Sequence, residues 1–269
     1  MYSGSTFNTY SGQLLGTHQK IDRVARRHLE QLLPRCAFPG IKTILHFEGN
    51  NGPDAIKRKS PAQNEPWHYM QPFDLDDMQL IQLIERHYQR LVEALKLNDS
   101  VRAGFEAAWL AHGIVDGLTP AHHYPYEEKL VALSSGRAIE DRTSIAKKLI
   151  IPGETLGRQV RNNWKMWGPK GLFTTHAAFE AGVAMLIAPL KIEAARPAQA
   201  DLTAFADMPL GNWFRDAAQN IANLGLYDKF YETGWTIPLA KRVRKQLAPS
   251  LVQTVTVVWH GAAREAGLA

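Results

Sequence analysis

The stretch Ala111-His112-Gly113-Ile114-Val115-Asp116-Gly117-Leu118-Thr119-Pro120-Ala121-His122-His123 decides how the rest of the chain is read. His112 and Asp116 are four positions apart, so on a helix their side chains leave the same face one turn from each other and can close on one ion. Pro120 ends that helix, because it has no N–H and its ring blocks the preceding turn. His122 follows beyond the break, where a chain that has just turned can bring a third ligand to the same cavity.

Working outward, Asn98-Asp99-Ser100 reads as a cap for a helix over Val101 to about Gly117, with Phe105 and Ala108/Trp109 on an apolar stripe that His112 and Asp116 continue. Inward-pointing ionisable groups need partners, and a metal would supply one. Helical periodicity also marks residues 12–33, which carry His18 on the apolar face, and a segment from Asp74 to Leu97, with His87 read as surface. It continues at 172–190, at 213–224 and in one closing helix over 237–268. Residues 35–72 are broken by proline and glycine into loops, with a short helix at Ile41 to Phe47 and a helix start at Gly52-Pro53-Asp54. Arg196-Pro197 to Pro209 reads as a linker. His176 and Glu180 form a second pair four apart.

The chain has 269 residues, 45% of them hydrophobic, enough for one large domain with a substantial core. It has no run of the roughly 18 apolar residues that a membrane span needs, and no basic-then-apolar leader, so a cytoplasmic protein is expected. A single cysteine, Cys36, excludes an internal disulfide framework and a thiolate cluster, so any metal must use His and carboxylate ligands. The formal charge of +5 suits a polyanion or an anionic membrane surface. The stretch 161–171, rich in Trp and Lys, is read as a loop for a ligand or for peripheral membrane contact, with Trp164 and Trp167 as substrate-binding candidates. Lys57 and Arg58, one turn after Asp54, are candidates of the same kind.

Collected in order, His18, Asp54, His68, His112, Asp116, His122, His176 and Glu180 supply five imidazoles and three carboxylates without sulfur. That is zinc chemistry by ligand type, and more than one ion needs. In order and spacing the set resembles the zinc-dependent phospholipase C and P1 nuclease superfamily. Its signature, His, four on Asp, four on Pro, two on His, is matched by His112, Asp116, Pro120 and His122. The flanking pairs Asp54/His68 and His176/Glu180 and the early His18 extend the match over roughly residues 12–190.

The resemblance implies an all-α fold, a single multi-helix domain over residues 1–269 around a metal cleft that holds two or three zinc ions. Carried over residue by residue, one ion takes Asp54, His68, His112 and Asp116. A second takes His122, His176 and Glu180, and a third adds His18 to a bridging Asp116. Ions about 3.5–4 Å apart can stabilise the attacking and leaving oxygens of an in-line displacement, and Asp54 could accept a proton from the attacking water, which makes Asp54 and Asp116 the catalytic candidates.

Three features depart from the family. No Trp precedes Trp67 to complete the third site, Pro125 stands where an Asn often follows the last signature His, and residues 124–172 form a long insertion. The resemblance therefore implies a phosphodiester hydrolase acting on phospholipid, with a single-strand nuclease or 3'-nucleotidase close behind. A metal-stabilised scaffold or membrane-binding module without catalysis is the rival from another class.

Overall fold

The computed structural model describes residues 16–33, 38–48, 52–54, 68–134 and 150–269. Every regular element among them is helical, and no strand occurs. In chain order these are α1 (Thr17–Leu29), α2 (Ile41–Glu48), α3 (Gln79–Lys96) and α4 (Ser100–Gly117). A 3-10 turn (Pro120–His123) precedes α5 (Tyr126–Leu133), α6 (Leu156–Trp167) and α7 (Leu172–Ile187). Then come α8 (Gln199–Ala206), α9 (Leu210–Ala222), α10 (Leu226–Thr233), α11 (Ile237–Arg242) and α12 (Ala248–Glu265).

One apolar core joins most of these helices, and α12 runs through it. Leu251, Val252, Val255, Val258 and Trp259 are fully covered, and α12 packs against α1, α3, α4 and α8. A helix apolar on nearly every side belongs in the interior. The Trp259 indole N–H donates to the Ala107 carbonyl at 3.1 Å, so the polar handle of the largest buried side chain also fixes α12 against α4.

Several sequence expectations change. The single closing helix is interrupted by a π-helical turn at Val243–Leu247 just before Pro249, which cannot donate to the carbonyl four residues back. The Asp74 segment begins its helix only at Gln79, because the aspartates cap turns: Asp74 accepts from the Asp76 N–H at 2.9 Å and Asp77 from the Gln71 N–H at 2.8 Å. The linker at 196–209 contains α8, started by Asp201 accepting from the Ala198 N–H at 2.7 Å. His87 is buried, with Nδ1 2.5 Å from Glu106 Oε2, rather than on the surface.

The stretch 161–171 is largely helix rather than loop. Thr155 caps α6 by accepting from the Arg158 N–H at 3.2 Å, and α6 ends only at Gly168-Pro169. Within residues 124–172, Tyr126, Leu130, Ile151 and Met166 form a small second core, on which Trp167 and Leu172 also pack. The Asn163 side-chain amide braces it through hydrogen bonds to both the N–H and the carbonyl of Ile151 (3.0 and 2.8 Å). This segment lies against α7, the helix that carries His176 and Glu180.

Candidate metal centre

α4 brings its polar pair into the interior because small residues let its neighbours approach. A Cβ on Gly117 would stand 2.5 Å from Phe214 Cζ and 2.7 Å from Leu80 Cδ2, so a larger residue there would have to push those side chains aside. Past Gly117 the chain turns on hydrogen bonds from the Thr119 hydroxyl to the Val115 carbonyl (2.7 Å) and from the His122 N–H to the Thr119 carbonyl (2.8 Å). His123 contacts the Gly117 carbonyl through Nε2 at 2.7 Å and so serves the turn itself. The segment at residues 68–70 is laced to this turn. The Met70 N–H donates to the His122 carbonyl at 3.2 Å, and His122 Nδ1–H donates back to the His68 carbonyl at 2.9 Å.

Asp116 is the hub. Its Oδ2 faces His112 Nε2 at 3.1 Å and is hydrogen-bonded to His68 Nδ1. Its Oδ1 faces His18 Nε2 at 3.4 Å and His122 Nδ1 at 3.5 Å. Each oxygen of one buried carboxylate thus serves a different pair of imidazoles. Asp54 stands on the outer side, 3.9 Å from His112 Nε2, and is less buried than the histidines. On the far side of the turn, Glu180 Oε1 lies 2.9 Å from His122 Nε2 and 3.2 Å from His176 Nε2, with the two rings stacked at 5.2 Å. Tyr69 and Tyr126, stacked at 5.7 Å, wall this second group, and Tyr126 comes within 5.3 Å of the His176 ring.

All eight ligands expected from the sequence therefore gather in two adjoining sets that share the turn. Three subsets have ligand atoms within 4.8 Å of one another: Asp54, His68 and His112; His122, His176 and Glu180; and His18, Glu48 and His112. The opening expectation that His112, Asp116 and His122 converge on one ion gives way here, since His122 directs Nε2 to Glu180.

Glu48 was missed by sequence reasoning. Fully buried at the end of α2, it accepts from His112 Nδ1 at 3.1 Å and lies 3.9 Å from His18 Nδ1. His18 and His112 stack at 4.0 Å and 7°, so both Nδ1 edges face Glu48 and both Nε2 edges face Asp116. One signal was available. A carboxylate in the last turn of a helix opposes the macrodipole, and such a placement needs another reason.

The charges are set by this packing. Burial pushes Asp116 up, but the surrounding cations, His112 among them, outweigh it and hold the carboxyl well below its usual range. Glu180 is likewise held well below its usual range despite its burial, with His176 and the hydrogen bonds from both imidazoles among the causes. His112 is raised to about 10, because Glu48 and then Asp116 overcome its burial. Burial lowers His122 to about 4, which leaves it neutral and ready to act as a ligand. Asp22, one turn after His18, is raised well above its usual value by burial and by Glu48.

Of the substrate-binding candidates, Lys57 and Arg58 lie outside the described residues. Trp164 projects from α6 with 68% of its surface exposed, and Trp167 is half-buried on the small second core beside Phe173. Neither belongs to a ligand group. Beside the His122 group, a cavity of about 370 Å³ is lined by Tyr124, Lys129, Lys165, Lys170, Tyr227 and Tyr231, among others.

Fold and site together define an all-helical protein whose buried imidazole and carboxylate groups can hold metal ions. No protein-family model, curated protein or solved structure matches the chain.

Proposed function

We propose that this protein is a zinc-dependent phosphodiester hydrolase of the phospholipase C and P1 nuclease type that its sequence resembles. The observation that carries the reading is Asp116, whose Oδ2 faces His68 and His112 while its Oδ1 faces His18, as a carboxylate shared by two ions would. Sulfur-free nitrogen and oxygen donors at these separations fit zinc. Asp54, His68, His112 and Asp116 would hold one ion, and His122, His176 and Glu180 another. His18, with Asp116, would hold a third. Bound there, the ions supply Lewis-acid activation of the phosphoester and of the attacking water.

The chain's own residues do the remainder. Asp54, at the outer side of its group, is placed to take the proton of the attacking water. The low pKa of Glu180 and the neutrality of His122 keep the second group in the ligating state at pH 7. Tyr69 and Tyr126 shield that group from bulk water.

Phospholipid is the preferred substrate class, favoured by the exposed apolar side chains of α6 next to α7. The lysine- and tyrosine-lined cavity favours the second reading, a single-strand nuclease, because lysines can track phosphates while aromatic rings stack bases. The test is elemental analysis of the dialysed protein, followed by assay of the zinc-loaded chain on phosphatidylcholine and on single-stranded oligonucleotides. Two or three zinc ions and turnover of either substrate support the proposal. A chain that holds no ion, or is inert on both substrates when loaded, is a scaffold and the proposal fails.

A further inference from the structure

The helix α6 has three faces. Gln159, Asn162 and Met166 turn towards the protein, with Met166 in the small second core and Asn162 donating to the Leu133 and Pro152 carbonyls at 3.0 and 2.9 Å. Leu156, Val160 and Trp164, spaced four apart on the next face, are 83%, 70% and 68% exposed. Arg161 and Lys165 form the third face with Arg158, which pairs with Glu154 just before the helix; all three are exposed, and the helix itself contains no acidic residue. Trp167, in contact with Phe173 at 4.8 Å, carries the apolar stripe on to the start of α7.

Exposed apolar residues scattered singly need no explanation, but a contiguous stripe with a tryptophan and a basic flank does. The stripe fits a surface that is apolar inside and anionic at its face. Two copies of this chain docking α6 on α6 would oppose basic stripe to basic stripe, which disfavours a self-interface. A nucleic acid would match the charge and leave Leu156 and Val160 in water.

We propose that α6 is an interfacial anchor that lies in the headgroup layer of an anionic phospholipid membrane. Leu156, Val160 and Trp164 are inserted and Arg161 and Lys165 meet the headgroups, as in amphipathic helices that bind membranes without spanning them. Since α6 packs against α7, docking would carry the His176/Glu180 group to the lipid surface. The inference thus deepens the phosphodiesterase reading and rests on it for its purpose, while the binding itself needs no metal.

The experiment is sedimentation of the full chain, kept metal-free with chelator, with vesicles of phosphatidylcholine alone or mixed with phosphatidylglycerol. The wild-type chain is expected to bind the mixed vesicles, with a blue shift of tryptophan emission that Trp164→Phe removes. Changing Leu156, Val160 and Trp164 together to Gln should weaken partitioning at least about tenfold. The same changes at Leu75, Leu97 and Ile237, equally exposed elsewhere, should not. Arg161→Gln with Lys165→Gln should abolish the preference for phosphatidylglycerol. Equal losses in the α6 and control variants would overturn the proposal, as would a wild-type chain that ignores vesicles. So would a concentration-dependent dimer that the α6 changes dissolve. Hydrolysis of a soluble diester, bis(p-nitrophenyl) phosphate, by the zinc-loaded chain keeps the two readings apart. Turnover without vesicle binding refutes the anchor alone, and vesicle binding without turnover or bound zinc refutes the hydrolase alone.

Discussion

Replacing Asp116 by Asn tests the hub directly, even without metal. The carboxylate is buried and faces four imidazoles, two on each oxygen, and an amide can accept from only one side while its NH2 opposes the other pair. Removing one partner of a buried ionic set costs about 3–5 kcal/mol. At about 2–4 °C per kcal/mol for a domain near this size, the melting temperature should fall by roughly 6–20 °C.

The pH dependence has a definite sign. Asp116 is depressed, so its contribution is present above its unfolded value of 3.8 and is lost as pH falls through the folded one. His112 is raised, so its contribution is full below 6.5 and is lost as pH rises through about 10. The two overlap between about pH 4 and 6.5, where the difference between wild type and Asp116→Asn should be greatest, shrinking steadily towards pH 10. Scanning calorimetry of both proteins in chelator at pH 5.5 and 9.5 measures this. An equal difference at the two pH values, or none at pH 5.5, would refute the assignment of Asp116 and His112 as a charged pair.

Zinc at about 100 times its dissociation constant should stabilise the wild-type chain by about 2.7 kcal/mol per occupied site, seen as a rise in melting temperature that chelator reverses. Glu48→Ala should weaken zinc binding about 10–100-fold by titration, because His112 loses its orienting acceptor. Glu48→Gln, which keeps an acceptor oxygen, should stay close to wild type, whereas equal damage from both would make Glu48 a direct ligand. Phe179→Ala, next to Glu180 and stacked on Trp235 at 5.5 Å, should cost about 3–5 kcal/mol by denaturant titration. Gly117→Ala should cost about 1–3 kcal/mol through overpacking against Phe214 and Leu80, and a neutral result would mean that α4 can shift.

The helices and their ligands were legible because each pair four apart carries its own geometry: His112/Asp116 and His176/Glu180 announce both helix and site. Asp54 and His68 were legible only through their order along the chain, since a loop has no period to read. Glu48 was hidden because its partners come from α1 and α4, and its one local signal, a carboxylate in the last turn of a helix, says nothing of which residues it meets. His87 was misplaced for the same reason, as its partner Glu106 sits on the next helix. The π turn before Pro249 follows from proline chemistry, but its position within a continuous apolar period does not show in the pattern. The apolar stripe of α6 could be found only once its packed face was known, because Met166 and Trp164 look equally apolar in sequence.

The packing of α1 on α12 gives the molecule an order of assembly. His18 sits on a helix made early in synthesis, but the surface that seats that helix belongs to residues 248–265 and is translated more than 200 residues later. α1 also packs on α2 and α4, so the stacked His18/His112 pair can form once α4 is made, and α12 then holds α1 in place. A chain cut short before α12 would leave α1, with His18 on it, without its main packing partner.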